Sequence, residues 1–576
     1  MKPANKPSCS YSIPLKRVFL QLATATLVSS FNTSQQFNFT EITPTTNLVW
    51  FPCYSNFSCA KLDAPLDYTE LSGPRVSIPL IKVTAKDPVN YRGMVLTNPG
   101  GPGSSGINQI AQSGETFQSI VGANYDIISF DPRGVGFASP MLDCSIPTST
   151  SKRRRSIQIQ GPQLNNSIYE DYFVEYTELG SICNSEAGGL GNIGPHMTTA
   201  DNVRDMVTIV DAFAQTTDGR RVEDASLLNF WGFSYGSYLG ETFASMFPER
   251  IGRFVLDGVI DPEDYTSGLT LKNILHMDDV FALFFVYCNI AGPDECPYYT
   301  GRTALDIYER FEASFWKLNP KYAISQGWQN ATLMQSTLTT IKTDIWQFNY
   351  SPTKSFPYTS TLGLGLERIV ENLTAESVAD VVAEIAAQQA ETTTVTIENF
   401  SQPALSSAIW CSDVGGTTYN STLEELEPWL QTLQNQSVIA GELWSFIGIG
   451  CATWPVLGKS RYQGKFRGET QNPILFVSNT FDPVTPIENS RKMINYFKDA
   501  QLLAIDGIGH TSQATNNSCA STKIGAYFQS GALPGENNFC ELEAGPFGVI
   551  VPGSLERIQR GNDLQLIKER MSRLRR

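Results

Sequence analysis

Histidine is the scarcest reactive side chain here: His196, His276 and His510 are the only three in 576 residues. So few imidazoles, with no cysteine at metal-ligand spacing to any of them, give no reason to expect a zinc centre, and no cofactor is implied. Basic charge is also in deficit. Lys plus Arg number 42 against 57 Asp plus Glu, a net charge of −15, which is the wrong sign for a nucleic-acid partner. Long apolar runs are missing too. The N-terminal candidate, Val18 to Val28, is short and broken by Gln21 and threonines, so no stable membrane insertion is expected. No internal repeat is visible, which excludes a solenoid.

What is present belongs to a globular chain, with 41% hydrophobic and 17% charged residues. Lys2, Lys6, Lys16 and Arg17 precede the short apolar stretch, and Ser29-Ser30 follows it. That order is a secretory signal pattern over residues 1–30. Of eleven cysteines, Cys9 falls inside it, leaving ten from Cys53 to Cys540. An even set in a secreted chain implies disulfides, with nearest-neighbour pairing as the expectation. Asn-x-Ser/Thr sequons, Asn349 among them, recur from Asn32 to Asn516 and fit a secreted glycoprotein. The basic run Lys152–Arg155 is read as a solvated loop, with a dibasic processing site as the alternative.

Strand-like runs over 93–97, 125–130, 227–231 and 252–256 alternate with helical patterns over 199–214 and 235–246. This rhythm predicts a mostly parallel α/β sheet with functional residues at strand C-terminal ends. It stops near residue 261 and resumes with strands at 473–478 and 501–505 around a helix at 487–497. Between them the chain reads helical, with one long amphipathic stretch over 366–389. The expected organisation is a first core part over 48–260, a helical cap insert over 261–470, a second core part over 471–545 and a tail over 546–576.

One stretch concentrates the chemistry. In Leu227-Leu-Asn-Phe-Trp-Gly-Phe-Ser-Tyr-Gly236, Ser234 stands between Gly232 and Gly236, after a strand and before a helix. That is the pattern of a sharp turn presenting a nucleophilic hydroxyl. A serine needs a base, and the base needs an orienting acid. His510 alone among the histidines lies beyond the resumed sheet. Asp482 ends a strand in Asp482-Pro-Val-Thr-Pro486, and Asp257 is its rival. The oxyanion of an acyl-transfer intermediate needs fixed N–H donors. Tyr235 offers one, and the loop Asn98-Pro-Gly-Gly-Pro-Gly103 offers Gly101, or else Gly100.

Together with Asp131-Pro-Arg-Gly-Val-Gly136, Asp257-Gly-Val259 and Gly509-His-Thr511, these motifs resemble the secreted tripeptidyl aminopeptidase-like α/β-hydrolases, relatives of the prolyl aminopeptidases. The likeness runs from about Trp50 to about Cys540 and includes Cys411-Ser-Asp413. It implies the α/β-hydrolase fold, a carboxy-terminal segment typical of that family, and Ser234, Asp482 and His510 as nucleophile, acid and base. It also implies release of short pieces from a free peptide N-terminus. The family's histidine ahead of the glycine loop is replaced here by Pro99. For the substrate amine, Asp413, Asp278 and Asp279 are candidates on charge alone. An esterase acting on a lipid or metabolite ester is the alternative, and the aromatics Phe281, Phe284, Phe285 and Tyr287 would suit its acyl pocket. A non-catalytic binding protein on this scaffold is disfavoured, because all three triad members are present. The partner expected is a peptide or small ester; the sequence does not define an oligomeric state.

Overall fold

In the computed structural model, ten strands join in one sheet, in the order β1-β2-β3-β5-β4-β6-β7-β8-β9-β10. The structure describes residues 36–144, 168–319, 325, 331–390, 397, 403–549 and 553–575. The signal pattern, the Lys152–Arg155 run and the sequons at Asn32, Asn165, Asn330 and Asn399 lie outside them. The strands are β1 Phe51–Cys53, β2 Phe57–Pro65, β3 Arg75–Val83, β4 Met94–Asn98, β5 Asp126–Phe130, β6 Leu228–Phe233, β7 Ile251–Asp257, β8 Leu475–Phe481, β9 Gln501–Ile508 and β10 Phe539–Cys540. From β5 through β4 to β10 every pairing is parallel, while β1, β2 and β3 add on antiparallel.

Parallel strands are covered by helices on both faces, so their residues can be apolar without alternation. β4 and β5 are buried along their whole length, which explains why Met94-Val-Leu-Thr-Asn98 has no polar-apolar rhythm. The antiparallel strands β1 to β3 were not read from the sequence. β3 is buried at every position after Arg75, so it too lacks the alternation that marks a half-exposed strand.

The α-helices ahead of β7 are α1 Gly106–Val121, α2 Ile168–Ala187, α3 Thr199–Ala214 and α4 Tyr235–Met246. Between β7 and β8, which are hydrogen-bonded neighbours, come α5 Pro262–Ser267, α6 Met277–Glu295, α7 Ala304–Phe315, α8 Ala331–Phe348, α9 Pro352–Glu371, α10 Ala375–Ala390, α11 Pro403–Val414, α12 Leu423–Gln436 and α13 Phe446–Thr453. The chain then gives α14 Ile487–Met493, α15 Ser518–Ser530 and α16 Gly553–Met571. Among the described residues, no helix is long and apolar enough to cross a membrane.

The single amphipathic stretch expected over 366–389 is two helices. α9 stops at Glu371, and Thr374 and Ser377 exchange backbone-to-hydroxyl bonds of 3.0 and 3.1 Å that start α10. Side-chain caps of this kind compete with helix continuation. Val381 then folds back against Gly365. The segment read as a tail carries α16, which buries Leu564, Ile567 and Met571 and pairs Arg570 with Glu312 at 2.6 Å.

All ten cysteines pair with their nearest neighbours: Cys53–Cys59, Cys144–Cys183, Cys288–Cys296, Cys411–Cys451 and Cys519–Cys540. The sequon residue Asn349 is 1% exposed, and its amide donates to the Met277 carbonyl at 3.2 Å, which removes it as a glycan acceptor in the folded chain.

Candidate active site

Neighbouring parallel strands end on the same side of the sheet, so β4, β6, β7, β8 and β9 bring their C-terminal loops to one edge. Those loops carry Gly100 and Gly101, Ser234, Asp257, Asp482 and His510. Residues from Gly100 to His510 are thus brought to one sheet edge through strand order.

Ser234 has φ 57° and ψ −124°, a conformation that a side chain adopts only under strain. The two glycines around it are steric necessities. A Cβ on Gly232 would lie 2.2 Å from the Gly236 carbonyl oxygen, and one on Gly236 would lie 2.7 Å from that of Asn98. The bend is pinned by the Ser234 N–H donating to the Asp257 carbonyl at 2.9 Å and by the Ser237 hydroxyl donating to the Ser234 carbonyl at 2.6 Å.

At the next loops, both carboxylate oxygens of Asp482 lie 3.0 Å from His510 Nδ1. Asp482 is fully buried and also accepts the N–H groups of Val484, Thr485 and Thr511 at 2.8–3.0 Å and the Thr485 hydroxyl at 2.8 Å. Burial alone would push its carboxyl up. The charge and hydrogen bond of His510, with the backbone donors, outweigh that and hold it below the usual carboxylate range. A carboxylate on Nδ1 leaves Nε2 as the basic nitrogen. Among the described residues, that Nε2 has no hydrogen-bond partner.

Asp257, the rival acid, faces Ser512 instead. It accepts the Ser512 N–H at 2.8 Å and Trp231 Nε1 at 3.3 Å, and burial pushes its carboxyl up to about 6. His196 is bonded through Nε2 to the Leu190 carbonyl at 3.0 Å. His276 lies between Asp279 at 2.8 Å and Glu488 at 3.0 Å.

In the glycine loop, the Gly100 N–H is taken by Asn98 Oδ1 at 3.0 Å. Among the described residues, the N–H groups of Gly101 and Tyr235 make no backbone hydrogen bond. Gly100 itself presses on the elbow: a Cβ there would meet Ser234 Cβ at 2.8 Å and the Tyr235 nitrogen at 3.0 Å. The motif Asp131-Pro-Arg-Gly134 braces the start of α1, directly after the glycine loop. Asp131 accepts the Ser105 hydroxyl at 2.6 Å, and buried Arg133 pairs with Asp205 through two bonds of 2.6 and 2.8 Å.

The three amine-binding candidates do not come together. Asp278 accepts the N–H groups of Val438 and Ile439 at 2.9 and 3.3 Å. Asp279 is held by His276 and Lys568. Asp413 is bound by Thr199 and Tyr265, and burial pushes its carboxyl up to about 7. Phe281, Phe284, Phe285 and Tyr287 are all buried within α6 packing and at most 1% exposed.

Sequence reasoning missed the residues between β7 and β8 that touch these loops. Asn273 donates to the Val484 carbonyl at 3.0 Å, Ser406 to that of Pro102 at 2.8 Å, and Thr353 to that of Ala514 at 2.7 Å. None sits in a motif, so only the folded arrangement reveals them.

A strained Gly-x-Ser-x-Gly turn on a ten-strand, mostly parallel sheet defines the class: this chain has the α/β-hydrolase fold and is a serine hydrolase. Residues 93–278 match the family described as alpha/beta hydrolase fold, and residues 436–540 match TAP-like protein. The chain resembles tripeptidyl aminopeptidases. That of Streptomyces coelicolor is 24% identical over 518 residues, covering 86% of each chain. Serine protease Hip1 of Mycobacterium tuberculosis is 24% identical over 519 residues, covering 85% of this chain and 90% of its own. Carboxylesterase B of the same species is 26% identical over 488 residues, covering 83% and 85%.

Proposed function

We propose that this chain is a secreted serine exopeptidase that releases short N-terminal pieces from peptides. The observation that carries the reading is Asp482 on His510 Nδ1 at 3.0 Å, at the same sheet edge as a serine held at φ 57°. In the proposed reaction, His510 Nε2 takes the proton of Ser234 Oγ as that oxygen bonds to the substrate carbonyl carbon. The N–H groups of Gly101 and Tyr235 receive the oxyanion. His510 then gives the proton to the leaving amine as the C–N bond breaks. Water repeats the sequence, with His510 as base, to free the acid and restore Ser234. Asp482 holds the imidazole in the required tautomer. The helices between β7 and β8 serve as a cap that limits access to the edge, which favours chain ends over chain interiors.

Secretion is supported by the five disulfides together with the basic-apolar order of residues 1–30. A second reading, ester hydrolysis by the same groups, is favoured by the likeness to Carboxylesterase B. Two chromogenic panels separate them: free-amine and N-blocked mono-, di- and tripeptidyl anilides, and acyl esters of graded length. Cleavage of free-amine anilides that is lost on N-blocking supports the exopeptidase. Cleavage of esters alone moves the protein to the second reading, and activity surviving in Ser234→Ala removes both.

A further inference from the structure

Asp413 carries a hydrogen-bond chain that ends beside the nucleophile. It sits in α11, where the Cys411–Cys451 disulfide ties that helix to α13 and Trp410 stacks on Tyr265 with ring centroids 4.6 Å apart. Its Oδ1 accepts the Thr199 N–H at 2.8 Å, and its Oδ2 accepts the Thr199 hydroxyl at 2.5 Å and the Tyr265 hydroxyl at 3.1 Å. The Thr199 oxygen lies in turn 2.5 Å from the hydroxyl of Tyr235. All four side chains are at most 3% exposed.

The direction of this chain follows from its chemistry. When Asp413 is ionised it only accepts, so the Thr199 proton then points to Asp413 and the Tyr235 hydroxyl donates to Thr199. Tyr235 is anchored at its phenol end by Thr199, which Asp413 holds, while its backbone opens α4 directly after Ser234. Tyr238 and Tyr265 stack with centroids 4.0 Å apart and close the pocket around it.

We propose that Asp413 is a positioning residue, which acts through Thr199 and the Tyr235 hydroxyl to aim the Tyr235 N–H at the oxyanion of the acyl-transfer intermediate. In this arrangement an acid supplied by the inserted helices sets the donor geometry of the core. The inference rests on the site reading above, with Ser234 as nucleophile.

The test compares Asp413→Asn, Tyr235→Phe and the double variant on the best anilide of the panels, with kcat, KM and the Ki of a peptide aldehyde that forms a tetrahedral adduct. Tyr235→Phe removes one hydroxyl and keeps the ring, so it remains informative if Asp413→Asn does not fold. Small misplacement of a donor is costly, so each single variant is expected to lower kcat about tenfold. The aldehyde Ki should rise in parallel with KM nearly unchanged, and the double variant should be no worse than either single. Three results would overturn the inference: unchanged kcat in Tyr235→Phe, additive losses, or a higher KM for free-amine substrates only in Asp413→Asn. The last would make Asp413 an amine-binding acid. If Ser234→Ala keeps activity, the site reading fails instead, so the two failures are distinguishable.

Discussion

Tyr350 holds His510 in two ways: its carbonyl accepts the His510 N–H at 2.8 Å, and its ring meets the imidazole edge-on with centroids 5.1 Å apart. Tyr350 lies in the turn between α8 and α9, far from the catalytic motifs in sequence. The ring contact is worth about 0.5–1.5 kcal/mol. Tyr350→Ala is expected to lower kcat about three- to tenfold, with Tyr350→Phe close to wild type because the ring makes the contact. Equal losses in both variants would assign the effect to the hydroxyl.

The two acids at the edge should separate cleanly. Asp482→Asn offers an amide to His510 Nδ1 and favours the wrong tautomer, so kcat should fall about ten-thousand-fold. Asp257→Asn leaves the imidazole bond in place and disturbs only Ser512 and Trp231, so its loss should stay within about tenfold. The reverse ranking in steady-state kinetics would make Asp257 the orienting acid.

Gly100 has φ 96°, and an added Cβ would fall 2.5 Å from the Phe233 carbonyl oxygen. Gly100→Ala must therefore lift the loop off the elbow. Activity should drop at least a hundredfold, the scale of a lost oxyanion donor, while the far-ultraviolet circular dichroism stays native. A fully active variant would show that this loop does not shape the site.

Stability should peak in mild acid. Burial pushes Asp131, Asp201 and Asp257 up to about 6 and Asp413 up to about 7. Their contribution is whole below the unfolded carboxyl pKa near 4 and drains away as pH rises to 7. Although burial opposes it, bonds from Asp279 and Glu488 hold His276 up at about 9, so its contribution is whole below about 6.5 and is lost through 9. Asp261, Asp279 and Asp482 are held below the usual range and lose their contribution as pH falls under about 4. A thermal-shift series from pH 3 to 9 should place the highest Tm between about pH 4 and 6. A maximum at pH 8 or above would contradict this account.

The parallel strands β4 to β9 were legible because each is a short apolar run closed by Gly, Pro or a polar residue, and burial on both faces produces that pattern; the two-residue β10 was too short to show one. The elbow was legible because Gly-x-Ser-x-Gly is a local pattern, in which Gly232 is demanded by the Gly236 carbonyl four residues on, although Gly236 itself is demanded by distant Asn98. The break at Thr374 was not read, since one threonine in a helical pattern looks like any other until its hydroxyl is seen capping. Asp413 was singled out for its charge. Its partner Thr199 lies 214 residues away, beyond the reach of local pattern.

Local backbone and side-chain chemistry thus determined, from the sequence alone, the strands β4 to β9 with the helices at 199–214 and 235–246, where the serine turn falls and which few residues could serve a serine hydrolase. Only the tertiary structure decided between Asp482 and Asp257 as the neighbour of His510, committed the Gly100 N–H to Asn98, and linked Asp413 to Tyr235. The physical reason is range: hydrophobic pattern and turn sterics act over a few residues, whereas the partner of a buried charge is set by which strands lie side by side.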